Sequence, residues 1–138
     1  MDNFKSGQGG MTLIELAIVV VIVSILSTMA YSNYTQYTER ARRMDAKSAL
    51  MRIATNQERF YISNHIYTAN LADLGFTGAQ SENGYYDITV PAADNNTWQA
   101  VATPAAGSPQ ANDEDCQQFV IDAQNNVTAT PDPDGKCW

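Results

Sequence analysis

Few side chains in this 138-residue sequence have the chemistry or spacing of a catalytic or metal site. The single histidine, His65, has no cysteine or serine partner at a recognisable spacing, and we interpret it as a surface loop residue. Cys116 and Cys137 do not form a C-x-x-C pair, which argues against zinc. We therefore expect no catalysis, no metal and no cofactor. The exception is Glu15, the only charged residue in the apolar segment 11–31.

That apolar segment is long enough to cross a bilayer, which takes about 20 mainly apolar residues. A carboxylate within hydrocarbon costs about 2.5–3.5 kcal/mol even on lenient insertion scales, so such residues are rare and usually functional. Glu15 is therefore a candidate functional residue. The alternative is a carboxylate near the interface that reaches water and has no role.

The ten residues before the apolar segment are polar and rich in glycine, with one cation at Lys5. An ordinary secretory signal has its cleavage site after the apolar core, flanked by small residues. Here no such site follows the core. A plain N-terminal membrane anchor would explain the hydropathy, but neither the glycine pair at 9–10 nor the carboxylate.

Residues 10–16, Gly-Met-Thr-Leu-Ile-Glu-Leu, resemble the type IV prepilin signature, in which a glycine precedes Phe or Met and then T-L-I-E-L. The resemblance implies that a prepilin peptidase cuts after Gly10 and methylates the new N-terminal amine of Met11. It extends through Tyr34, Tyr37 and residues 42–47 to the C-terminal cysteine pair. Within the family the sequence is most similar to small minor pilins.

The resemblance also implies a division of the chain. Residues 1–10 would be the leader, 11–38 the transmembrane and filament-core helix, and 39–138 the pilin head. The precursor would lie in the inner membrane with its head in the periplasm, and the mature subunit in an extracellular pilus. The implied partners are other pilin subunits, the prepilin peptidase, and the pilus assembly platform with its ATPase.

After cleavage, Met11 would carry a positive amine four residues from Glu15 on the same helix. An arriving subunit could pair its amine with Glu15 of a neighbour, or the reverse. Such a pair is strong in a low dielectric and is lost if either partner is missing. Glu15 would then set the axial register of each added subunit.

No Gly or Pro occurs between Met11 and Asn64, which predicts one helix over about 12–62. The family usually has Pro where Ser32 stands, so this helix is expected to be straighter. Its second half carries two adjacent stripes at three- and four-residue spacing, which predict a wide face packed on a sheet, with Arg and Glu opposite. The first stripe is Tyr34, Tyr37, Ala41, Met44, Ser48 and Met51, and the second is Ala46, Leu50, Ile53, Gln57 and Phe60.

Beyond the helix, residues 63–84 read as a loop, in which 71–74 could form a helical turn. Four strand-like runs follow, separated by turn residues. They are Tyr85–Val90, Thr97–Ala102, Gln118–Asp122 and Val127–Thr130. The fold class predicted is therefore α+β: a long N-terminal helix packed against a C-terminal antiparallel sheet of about four strands, which the resemblance also implies.

Charge is divided along the chain. Six of the eight Lys and Arg lie between Arg40 and Arg59, whereas Phe60 to Gly135 contains ten Asp and Glu and no cation. Such an acidic head repels phosphates, so a nucleic-acid partner is disfavoured. The basic run after the apolar segment hints at a cytoplasmic C-terminus. The cysteines argue the other way, since disulfides persist in the periplasm or outside the cell.

A disulfide between Cys116 and Cys137 would contribute about 3 kcal/mol in the chain-entropy model. Two free buried thiols are the alternative. The carboxylates at 113–115, 132 and 134 could suggest calcium, but they lack regular ligand spacing. We interpret them as a solvated acidic rim.

The leading hypothesis is a structural pilin, of the minor kind, in a surface filament used in twitching motility, adhesion or DNA uptake, roles supplied by the resemblance alone. One alternative is a pseudopilin of a type II-like secretion system, although the paired cysteines favour a pilin. Another is a DNA-binding minor pilin for competence, against which the acidic head argues. The last, a membrane-anchored binding module, predicts no cleavage at Gly10.

Overall fold

The computed structural model describes residues 10–138, apart from the side chains at positions 30–33. Residues 1–9 of the expected leader and the side chain of Ser32 therefore lie outside the described residues. The chain forms two compact units, one ending at Tyr37 and the other running from Thr38 to Trp138.

Helix α1 runs over Leu13–Asn64, close to the predicted bounds. Its length follows from the absence of Gly and Pro, since either residue in a helix interior costs about 1–3 kcal/mol relative to Ala. The helix ends where His65 adopts a left-handed backbone with φ of 58°. The His65 N–H there donates to the Tyr61 carbonyl at 2.8 Å, which is a common way to terminate a helix.

Four antiparallel strands follow in a simple meander: β1 (Tyr86–Ala93), β2 (Trp98–Pro104), β3 (Gln118–Asp122) and β4 (Val127–Thr130). The predicted β3 and β4 have the observed bounds, whereas β1 and β2 each begin one residue later than predicted and extend three and two residues further. The β1–β2 register shifts between Thr89 and Ala92, around Pro91, because proline cannot donate to the ladder. A short 3₁₀ helix, Pro109–Asn112, was not predicted.

The core of the head lies between α1 and one face of this sheet. Alternate strand residues point inward, as the two-residue period of a strand requires. The strands contribute Tyr86, Ile88, Val90, Trp98, Ala100, Ala102, Phe119 and Ile121, and the helix contributes Ala46, Ala49, Leu50, Ile53 and Ala54. This arrangement confirms the predicted α+β class.

The prediction that both stripes of α1 pack on the sheet is correct for the second stripe and wrong for the first. The second stripe is buried through Ala46, Leu50 and Ile53, but Met44 and Met51 of the first stripe are 57% and 49% exposed. The sheet covers an arc of helix surface displaced toward the second stripe. The first stripe therefore stays uncovered within the subunit.

This division predicts different costs for two substitutions of similar size. Ile53→Ala should lower the free energy of unfolding by about 2–5 kcal/mol, because it leaves a cavity in the core. Met51→Ala should change it by less than about 0.5 kcal/mol, as an exposed site does. Urea unfolding of the full chain in micelles, followed by tryptophan fluorescence, measures both. Equal losses would contradict the packing described.

Candidate functional site

The start of α1 places the sequence-predicted assembly residues. Gly10 and Met11 precede the helix and are exposed, and Thr12 stands just before its first residue. The Glu15 backbone N–H donates to Thr12 Oγ1 at 3.3 Å, and the Leu16 N–H donates to the Thr12 carbonyl at 3.1 Å. Thr12 thus caps the helix by satisfying a backbone donor that has no partner within the helix.

Glu15 therefore stands on the first helical turn, where the helix dipole favours a negative charge. Its side chain is exposed and forms no salt bridge within residues 10–138. Thr12 is a positioning residue for Glu15 that sequence reasoning missed. The spacing Thr-x-x-Glu, which is that of a capping box, is the signal that could have found it.

The helix that follows is apolar on every side. From Leu13 to Met29 its large apolar side chains are 49% to 87% exposed, so no part of residues 10–138 buries them. This is the one helix among residues 10–138 that is long and apolar enough to cross a membrane. A helix that is hydrophobic all round needs lipid or other helices around it.

Two buried carboxylates tie the head together. Asp113 accepts two hydrogen bonds from the Arg43 guanidinium, each 2.7 Å, and the two side chains are 1% and 7% exposed. Asp113 also accepts from Gln110 Nε2 and from the backbone N–H groups of Asp115 and Cys116. Hydrogen bonding to Asp113 raises the pKa of Arg43 despite its burial.

This pair corrects two expectations. Arg43 does not lie on a solvated helix face, and Asp113 is not part of a solvated acidic rim. No grouping of His, Cys, Asp and Glu in residues 10–138 has the arrangement of a metal site. Residues 43 and 113 are 70 apart in sequence, so no local pattern could have paired them.

The second buried carboxylate, Asp45, lies two residues further along α1. It accepts from the Ser81 hydroxyl and from the backbone and side-chain nitrogens of Asn83 at 3.2 and 3.0 Å. The Ser81 hydroxyl in turn accepts the Tyr86 N–H at 3.0 Å. Asp45 thereby holds the loop before β1 against the helix.

Cys116 and Cys137 form a disulfide, and both are buried. The Cys116 N–H donates to Asp113, so the bridge adjoins the ion pair with Arg43. Next to Cys137, the Trp138 ring packs edge-on against Phe119 at 5.7 Å, and its indole N–H donates to the Thr128 carbonyl. The C-terminal segment is thus fixed to both the helix and the sheet.

The comparisons with known proteins agree with this architecture. The profile described as "Prokaryotic N-terminal methylation motif" matches residues 5–31, and that described as "Type IV minor pilin ComP, DNA uptake sequence receptor" matches residues 32–120. A search of curated proteins found no match.

Two solved structures are similar. A non-core minor pilin, PilV, from Neisseria meningitidis is 19% identical with a TM-score of 0.53, covering 68% of this chain and 88% of that one. A type IV pilin from Shewanella oneidensis is 26% identical with a TM-score of 0.50, covering 72% of this chain and 97% of that one.

A long N-terminal helix that begins with a methylation motif and packs on a four-stranded meander defines a type IV pilin. Within that class, the chain belongs to the family of the type IV minor pilin ComP, DNA uptake sequence receptor. It is a pilin-like structural subunit. The motif and the apolar helix indicate a membrane-held precursor that is later assembled with other pilins.

The buried ion pair generates a stability prediction. Asp113→Asn should destabilise the head by about 3–5 kcal/mol, because it leaves the Arg43 charge buried without its counter-ion. The matched control is Asp134→Asn, which breaks an ion pair with Lys136 whose side chains are 67% and 64% exposed. That change should cost less than about 1 kcal/mol. Urea unfolding of the full chain in micelles compares them, and a similar cost for both would contradict the structural role of Asp113.

Proposed function

We propose that the chain is cut after Gly10, methylated at the Met11 amine, and added to a surface filament through Glu15. The observation that carries the proposal is a lone carboxylate, placed by Thr12 on the first turn of an otherwise apolar and uncovered helix. When such helices bundle in a filament, that carboxylate must find a counter-ion. The only cation that the processing supplies at this level is the new N-terminal amine.

The proposal includes the division of the chain and its location. Residues 1–10 are a leader, 11–38 insert in the inner membrane and later in the filament core, and 39–138 form the head. The buried disulfide supports a head in the periplasm before assembly, since thiols stay reduced in the cytoplasm. The partners are then the prepilin peptidase, other pilin subunits and the assembly platform with its ATPase.

The test measures cleavage and incorporation in one experiment. Cells expressing the full chain or its Glu15→Gln variant, with and without prepilin peptidase, are separated into membranes and sheared filaments. Intact masses are then determined for each fraction. We expect both proteins to lose residues 1–10 and gain one methyl group only with the enzyme. Glu15→Gln should enter filaments about tenfold less or worse, since removing one partner of a buried pair costs several kcal/mol.

Two outcomes would reject parts of the proposal separately. An uncut wild-type chain would leave a membrane-anchored head, and the roles of Met11 and Glu15 would fall together. Normal incorporation of cleaved Glu15→Gln would reject the pairing while keeping the processing. Asp87→Asn, which also neutralises a carboxylate but lies in β1, is the matched control and should assemble normally.

DNA binding is a second candidate, favoured by the description of the matched family. Phosphates need cations, and every arginine of the head lies on α1. Arg42 lies 5.6 Å from the centroid of the Tyr85 ring and Arg52 lies 4.3 Å from that of Phe76. With Arg59 they follow the seam between the helix and residues 73–85. Such a row of cations suits contacts with phosphates.

If this candidate is right, Arg52→Gln with Arg59→Gln should weaken DNA binding by the full chain in micelles. The slope of log affinity against log salt should fall by about 2, because each of the two arginines neutralises one phosphate. Lys136→Gln, which removes a cation already paired with Asp134, should leave affinity unchanged. Fluorescence anisotropy with labelled duplex DNA measures this. Failure of the wild-type chain to bind at about 50 mM salt, an ionic strength that favours phosphate contacts, would reject DNA binding without touching the assembly proposal.

A further inference from the structure

Three segments meet at the end of the head where α1 terminates: residues 61–67, the β1–β2 turn at 94–97, and the β3–β4 turn at 122–126. The Tyr67 N–H donates to the Asp94 carbonyl at 3.1 Å, which joins the first two. The Ala123 N–H donates to the Trp98 carbonyl at 3.1 Å, which joins the third to the start of β2. We call this surface the helix-end patch.

Aromatic and aliphatic side chains form one half of the patch. The rings of Tyr61 and Tyr67 stack with centroids 4.6 Å apart and planes inclined by 25°, and both residues are half-buried. Tyr67 is braced from behind by Trp98 at 6.4 Å. Ile62 and Ile66 beside them are 75% and 44% exposed. The Tyr61 ring also contacts the His65 ring edge-on at 6.4 Å. The exposed part of this braced aromatic cluster is available to a ligand.

Amide side chains form the other half. Asn95, Asn96, Gln124 and Asn125 are exposed or half-buried, and their side chains have no hydrogen-bond partner among the described residues. Each amide offers both donors and an acceptor. Four such groups on two adjacent turns can pair with hydroxyl groups, which also donate and accept.

The turns that carry these amides are held in place by their own carboxylates. Asp94 accepts from the N–H groups of Asn96 and Thr97 at 2.7 and 2.8 Å. Asp122 accepts from the N–H groups of Gln124 and Asn126 at 2.9 Å each, and from the Asn126 side chain. These bonds lower the pKa of both carboxyl groups. Both oxygens of Asp122 accept hydrogen bonds, whereas Asp94 accepts through Oδ1 and leaves Oδ2 as a further exposed acceptor. Loops ordered before binding lose less entropy when a ligand arrives.

The charge of the patch restricts the class of ligand. Residues 60–135 contain no Lys or Arg, so apart from the imidazole of His65 the patch offers no basic group to a phosphate or a carboxylate. Its polar groups are neutral amides and carboxylates that act as acceptors, namely Asp94, Asp122 and Glu58, which accepts from the Tyr67 hydroxyl. Its apolar part presents ring surfaces beside two aliphatic side chains. Neutral sugars match this combination, because their C–H faces pack on aromatic rings while their hydroxyls pair with amides.

We propose that the helix-end patch binds a neutral oligosaccharide. The inference goes beyond filament assembly and does not depend on Glu15 or on processing. We expect affinities of about 1 mM for a short oligosaccharide, because a small ligand buries little area.

The test uses the full chain in phosphocholine micelles, because detergents with sugar headgroups would compete. The probes are neutral tetrasaccharides built from glucose, galactose or N-acetylglucosamine, and saturation-transfer NMR reports their binding. At least one probe should bind. Affinity should fall about fivefold or more in Tyr61→Ala and, separately, in Asn95→Ala with Asn96→Ala, whose side chains support no other part of the described fold.

The matched control is Gln117→Ala with Gln118→Ala, which removes two exposed amides at the start of strand β3, the end remote from the turn at 122–126. This variant should bind like the wild type. Binding of none of the probes would overturn the proposal. Binding unaffected by the patch variants, or reduced equally by the control, would overturn the location. Loss of single-stranded DNA binding in the patch variants, with no sugar bound, would overturn the ligand class.

Discussion

A guanidinium and a carboxylate that lie 70 residues apart in the chain hold the head in one arrangement. The carboxylate of Asp113 receives Arg43 from the helix, Gln110 from the 3₁₀ helix and the N–H of Cys116 from the disulfide loop. Without Asp113, the Arg43 guanidinium, the Gln110 amide nitrogen and the Cys116 N–H would each lose this buried hydrogen-bond acceptor. Removing one partner of a buried ion pair lowers the stability of the fold more than replacing both partners by apolar residues does, because the remaining charge stays in a low dielectric. The C-terminal loop therefore depends on the same contact as the helix.

Helix α1 meets two opposite demands. From Leu13 to Met29 its large apolar side chains are exposed among the described residues, whereas in the head one side of the helix is packed under the sheet. Within the head, Met44 and Met51 keep an exposed apolar stripe on the same helix. A polypeptide that must leave a membrane and join a helical assembly needs such a surface, since helix association without bulk water relies on close packing. Thr12 and Glu15 then add a polar feature to that surface, at its beginning.

The distribution of charge separates the possible activities of the head. Arg42 and Arg52 lie along the helix seam with residues 73–85, and the far end of the head has amides and aromatic rings but no Lys or Arg. A phosphate-bearing ligand and a neutral sugar would thus use different surfaces. Glu82 and Asp73 line the same seam and weaken its positive potential. The dependence of affinity on salt concentration therefore reports how far the arginines of the seam contact phosphates.

The sequence by itself determined the local elements. The absence of Gly and Pro set the helix from Leu13 to Asn64, and turn residues around alternating apolar runs set the bounds of β3 and β4. The short motif at Gly10 to Leu16 indicated the class of protein, because the methylation-motif signature is contained in a few consecutive residues. Tertiary structure alone decided which stripe of α1 is buried, since both have helical spacing and only the sheet's position distinguishes Ile53 from Met51. It likewise decided that Arg43 and Asp113 are paired and buried, because a contact across 70 residues leaves no periodic trace in the sequence.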